Sequence, residues 1–183
     1  MAASSGTLKQ KARNRRQRGP KRHIRNLVVT GTSKGDMFNA QRNNFDRLVS
    51  IELDPALHEA AAQRFSSAEH ISILLGNSAD LLQHAAAGLE GPALYWLDAH
   101  YSGETSAGRD TELPLIRELS VIAARGNGDD VILIDDARLF GWRGYPSMSQ
   151  VRDFVARSFP THRIYVASDI IHIVPGSMSK LPG

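Results

Sequence analysis

Arg163-Ile164-Tyr165-Val166-Ala167-Ser168-Asp169-Ile170-Ile171-His172-Ile173-Val174 reads as two apolar, β-rich runs with three residues between them. A parallel crossover needs a dozen or more residues, so the two runs are predicted to pair antiparallel as a hairpin. Upstream the pattern differs. Leu27-Val28-Val29, Leu48-Val49-Ser50-Ile51, Ile71-Ser72-Ile73-Leu74-Leu75, Ala93-Leu94-Tyr95-Trp96-Leu97 and Val131-Ile132-Leu133-Ile134 have the length and composition of buried strands. Helical stretches follow from the second onward: Pro55 to Arg64 behind Asp54, and Ser78 to Ala87. A third is capped by Asp110 or Thr111, has Pro114 in its first turn and runs to about Ala124; a fourth spans roughly Ser149 to Ser158. Strand–helix alternation ending in a hairpin predicts an α/β fold. The expected core is a doubly wound, mostly parallel, seven-stranded Rossmann-like sheet with a C-terminal antiparallel hairpin.

Composition agrees with one globular domain. The chain has 183 residues, 42% of them apolar and 22% charged. Cysteine is absent, which excludes disulfide scaffolds, thiolate zinc sites and cysteine nucleophiles. Apolar runs reach about seven residues, far below the ~20 of a membrane span. The basic start has no apolar stretch behind it, so no signal peptide is expected and the location is predicted to be cytoplasmic.

The net charge of +3 conceals an asymmetry. Residues 1–25 hold nine of the 22 Lys and Arg and no acid, leaving 13 basic against 19 acidic residues in the remainder, a net of −6. Residues 1–25 are therefore read as a basic, disordered tail and residues 26–183 as the folded domain. The tail is open to two readings: an inert solvated arm, or a weak contact with nucleic acid or an anionic surface.

In an open parallel sheet, ligands bind at the carboxyl ends of the strands. The five predicted parallel strands are followed by Gly31-Thr32-Ser33-Lys34-Gly35, Glu52, Gly76-Asn77-Ser78, Asp98-Ala99-His100-Tyr101 and Asp135-Asp136. Polar groups thus collect at one edge. The glycines permit close backbone approach by a ligand, or a tight turn alone. They match neither the phosphate-binding loop of nucleotide hydrolases nor the three-glycine dinucleotide pattern. Glu52 lies 21 residues past Gly31, where an acid can accept from ribose hydroxyls, and it can equally be a solvated cap. Asp98, Asp135 and Asp136 would repel one another unless a cation bridges them or one takes a proton, which makes Mg²⁺ a candidate; one of the pair can instead cap the following turn. His100 stands where a general base would be needed. The segment Arg138-Leu139-Phe140-Gly141-Trp142-Arg143-Gly144-Tyr145 reads as an acceptor pocket or as a packed loop.

Together these residues resemble a class I S-adenosylmethionine-dependent methyltransferase over about residues 26–175. The resemblance rests on Val28 to Asp36, Ile51-Glu52-Leu53-Asp54, Gly76-Asn77-Ser78, Trp96 to Tyr101 and the terminal hairpin. It implies that Gly31, Thr32, Gly35, Glu52, Asn77 and Ser78 bind S-adenosylmethionine. Asp98, Asp135 and Asp136 are similar to the metal triad of magnesium-dependent O-methyltransferases of the catechol and macrolide-sugar types. That implies Mg²⁺, a small-molecule or sugar hydroxyl as acceptor, and His100 with Asp98 as catalytic residues. The chain departs from the family in carrying Val29 and Thr30 where an acid often precedes the glycines, and Asn77 where an Asp often follows the third strand. A second reading is a non-catalytic Rossmann-fold module using its basic tail to hold RNA or an anionic surface. A dinucleotide-dependent oxidoreductase is disfavoured by the missing third glycine.

Overall fold

The computed structural model describes residues 24–33, 35–98, 114–142 and 145–178. The tail to residue 23, and His100 with the segment 99–113 around it, lie outside the described residues. The described chain forms β1 (Asn26–Thr30), α1 (Asp36–Gln41), β2 (Arg47–Glu52), α2 (Pro55–Phe65), β3 (Ile71–Leu75), α3 (Ser78–Ala87) and β4 (Ala93–Leu97). There follow α4 (Pro114–Arg125), β5 (Val131–Ile134), α5 (Met148–Ser158), β6 (His162–Ala167) and β7 (Ile170–Pro175). Among these residues no helix is long and apolar enough to cross a membrane.

The strands make one seven-stranded sheet in the order β3-β2-β1-β4-β5-β7-β6. β7 alone runs against its neighbours, pairing antiparallel with β5 and with β6. The expected doubly wound sheet and terminal hairpin are both present. The hairpin loop is shorter than the sequence implied: Ala167 and Ile170 are paired, leaving only Ser168 and Asp169. Both are left-handed, at φ 52° and 63°, which is the backbone twist that joins antiparallel strands in two residues.

Strands buried on both faces explain the continuous apolar runs. Leu27 and Val29 of β1 join Leu48, Phe38 and Phe65 beneath α1 and α2. Val28 faces the other way, into the larger core with Leu82 of α3, Leu119 of α4 and Val151 of α5. Helix α1 has no counterpart in the sequence reading. Six residues are too few for a periodic signal, and Phe38 holds the helix by packing edge-on to Phe65, centroids 5.4 Å apart. Caps fix the other helix starts: Asp54 accepts from Ala56 and Leu57, and Ser147 with Gln150 forms a reciprocal capping box on α5.

Candidate ligand crevice at the strand ends

The hydrogen-bond ladder continues past the strands and sets their ends in one row. Gly31 N donates to Ile51 O (2.9 Å), Gly76 N to Glu52 O (2.8 Å), Asp98 N to Thr30 O (3.2 Å) and Asp135 N to Leu97 O (3.0 Å). β1 connects outward to β2 on one side, while β4 lies on its other side. The order therefore reverses between Gly31 and Asp98, and a crevice opens at such a point.

Gly31 is exposed, with φ 81°. A Cβ there would lie 3.0 Å from Asp98 Cβ and 3.2 Å from its Oδ2, so only glycine leaves this gap open. The other predicted loop residues serve the domain itself. Thr32 is buried, its Oγ1 2.6 Å from Ser50 Oγ. Gly35 is left-handed at the start of α1, where a Cβ would come within 3.3 Å of the Phe65 ring. Glu52, 6% exposed, accepts from Ser33 N (2.8 Å) on Oε2 and from Asp54 N (2.9 Å) on Oε1. It thereby clamps the glycine loop to the end of β2.

Asn77 is the N-cap of α3, its Oδ1 accepting from Ala79 N at 2.9 Å. Ser78 begins that helix. Leu53, just past Glu52, is 58% exposed, and Leu57 and Leu75 are exposed at the same edge, Leu75 paired in register with Glu52. Three exposed leucines beside two polar strand ends make a rim with one apolar side. Their solvent exposure was not legible in the sequence, where each reads as a core residue.

Glu118 of α4 was missed altogether. It occupies an inward position on the helix face that buries Leu115, Leu119 and Ile122, and it is 6% exposed. Burial pushes its carboxyl up to about 7, and the Asp98 charge adds to this. A hydrogen bond from the Ser78 hydroxyl opposes the shift, as does the Thr30 hydroxyl. Thr30 Oγ1 acts at longer range, because it is buried with no hydrogen-bond partner at ordinary distance. The available signal was an acid spaced at i+3 from Leu115 within an apolar stripe.

The predicted metal triad needs correction. Asp98 and Asp135 end neighbouring strands, as expected of β4 and β5. Asp136, however, adopts φ 56° and starts a 3₁₀ turn over Ala137–Leu139, with its Oδ1 2.7 Å from the Arg138 guanidinium. Asp135 Oδ1 accepts from Asp136 N at 2.8 Å. Among the described residues, no three His, Asp or Glu side chains gather to hold a metal ion. These carboxylates do not fit a three-aspartate Mg²⁺ site, because Arg138 already supplies the counter-charge to Asp136. Trp142 is 72% exposed, while Phe140 packs into the core against Tyr145. A groove of about 690 Å³ between α3 and α4, lined in part by Ala86, Leu89, Val121 and Arg125, lies at the opposite sheet edge, away from all these groups.

No family model matches the chain, and no curated protein matches it in sequence. Solved structures do match. The N-methyltransferase NodS from Bradyrhizobium japonicum WM9 is 12% identical, with a TM-score of 0.56 over 93% of this chain and 98% of that one. An rRNA methylase from Streptococcus thermophilus is 12% identical, with a TM-score of 0.52 over 84% and 87%. The O-methyltransferase NcsB1 from neocarzinostatin biosynthesis, in complex with S-adenosylmethionine and 2-hydroxy-5-methyl naphthoic acid, is 16% identical; its TM-score is 0.53 over 82% of this chain and 48% of that one. At these identities the likeness establishes architecture, and the architecture is the Rossmann-like methyltransferase fold.

Proposed function

We propose that this chain binds S-adenosylmethionine in the crevice between β1 and β4 and transfers its methyl group to a hydroxyl of a small molecule or sugar. The observation that carries the reading is Gly31, bare of a Cβ beside Asp98 where the strand order reverses. S-adenosylmethionine, when bound, supplies an electrophilic methyl on a positively charged sulfur. In this reading the Gly31 backbone admits the ligand, and the Asp98 carboxylate favours its positive charge. Glu52 has one backbone hydrogen bond on each oxygen and so keeps lone pairs for sugar hydroxyls. Leu53, Leu57 and Leu75 offer an apolar face to a flat base. His100, two residues beyond Asp98, takes the acceptor's proton on the strength of its sequence position.

Mg²⁺ has no part in the proposal, since the described aspartates do not fit it. Structures sharing this fold are named for acceptors as different as rRNA and, in one complex, a naphthoic acid, so the acceptor rests on the strand-end residues rather than on the fold.

Calorimetric titration with S-adenosylmethionine, with and without Mg²⁺, tests this. Wild type should bind equally in both, and Gly31→Ala should bind at least about tenfold more weakly while keeping its circular dichroism. Absence of binding by wild type would overturn the proposal. Binding without transfer to any hydroxyl compound would instead favour the non-catalytic module.

A further inference from the structure

Positions 29 and 30, where β1 ends, carry Val and Thr, so the strand itself brings no acid to the crevice. A carboxyl nevertheless sits there. Glu118 reaches it from α4, taking a hydrogen bond from Ser78 at the start of α3 and facing Thr30 at the end of β1. The charged group acting on it is Asp98, at the end of β4. Its neighbour Arg117 is turned away, paired at 2.9 Å with Asp80 of α3. One side chain thus meets three of the termini that surround the crevice. A leucine at position 118 would extend the apolar stripe of Leu115, Leu119 and Ile122 without desolvating a polar group, so core packing alone does not call for an acid.

We propose that Glu118 is a positioning residue of the crevice, acting through Ser78 and Asp98 to hold the start of α3 and the end of β4 in the geometry that the ligand requires. It is buried, so it works without touching the ligand. The inference rests on the crevice being the S-adenosylmethionine site, and it separates from that reading by experiment.

The full chain is compared as wild type, Glu118→Gln, Glu118→Leu, Ser78→Ala and the Glu118→Leu/Ser78→Ala pair. Two quantities are read: calorimetric affinity for S-adenosylhomocysteine, and amide hydrogen exchange over residues 79–82 without ligand. Gln keeps the size and the acceptor for Ser78, and should bind within about threefold of wild type. Leu should bind at least about tenfold more weakly and exchange faster at the start of α3. The double variant should lose little beyond Glu118→Leu, because the two side chains act as one unit. Should Glu118→Leu fail to fold, Ser78→Ala cuts the same hydrogen bond and must itself speed exchange and weaken binding. Wild-type affinity in Glu118→Leu, or losses that simply add, would overturn the positioning role. Wild type failing to bind would overturn the cofactor reading; in that case unchanged exchange in the variants would overturn this one too, and faster exchange would uphold the anchoring of α3.

Discussion

A carboxyl buried as deeply as that of Glu118 ionises at a cost, and that cost makes stability depend on pH. Its value rises from 4.5 to about 7 on folding, with burial the largest cause. Below about pH 4.5 both folded and unfolded chains hold the proton, and nothing is lost. Between there and about pH 7 the unfolded chain ionises first, so stability falls as pH rises. Above pH 7 the native state bears the full penalty, on the order of 3 kcal/mol. Glu118→Gln removes this slope. In urea unfolding, the variant should gain on wild type between pH 5 and pH 8; an equal difference at both pH values would show that Glu118 does not titrate in that range. Glu52 shows the opposite arrangement. Two backbone amides meet its carboxylate, so its charge is held where the glycine loop needs an anchor.

Among the elements, the β6–β7 hairpin gives the sharpest test. Its two loop residues are both left-handed, a conformation that costs an L-residue other than Gly, Asn or Asp roughly 1–2 kcal/mol. Ser168 bears that cost without return, whereas Asp169 accepts from Arg138 N at 2.8 Å and pairs with its guanidinium. Ser168→Gly should raise the thermal midpoint and Ser168→Val should lower it. Equal midpoints would mean that the turn relaxes around any side chain. The same hairpin seats β7 against β5, and Ala137 N donates to Asp169 O at 2.8 Å. The turn therefore also supports the segment that directs Asp136 toward Arg138.

At the scale of the molecule, the sheet has two unlike edges. The carboxyl edge holds the crevice. The opposite edge is locked by Asp130, 1% exposed in its side chain, whose Oδ1 and Oδ2 lie 2.7 and 2.6 Å from Arg125 Nη1. Asp130 Oδ1 also accepts from Ala93 N at 2.8 Å, and Arg125 Nη2 donates to the carbonyls of Leu89 and Gly91. His162 Nε2 lies 2.9 Å from the Asp130 carbonyl, joining β6 to the start of β5. Arg125→Leu leaves a buried carboxylate without its cation and should destabilise by roughly 3–5 kcal/mol. Denaturant unfolding checks this, and a loss below about 1 kcal/mol would mean that Asp130 reaches water or takes a proton. Because this lock is far from the crevice, affinity for S-adenosylmethionine in the folded fraction should hold.

What the sequence by itself determined was local. Runs such as Val131-Ile132-Leu133-Ile134 are apolar throughout because both faces are covered, and three residues between two strands allow only a hairpin. The residues that follow each strand were legible for the same reason, since a strand's end is marked by the polar residue or glycine that stops it. Tertiary structure decided everything that depends on which elements become neighbours. Gly31 and Asp98 are 67 positions apart and meet only because β4 inserts beside β1. Glu118 reaches Thr30 and Ser78 only once α4 has packed on α3. Asp136 was misread because its direction is set by one left-handed residue and an arginine two positions on, which no spacing reveals. Periodicity reports how a residue is buried, but a site is made by crossovers and dihedral angles, and those are settled when the whole chain closes around its sheet.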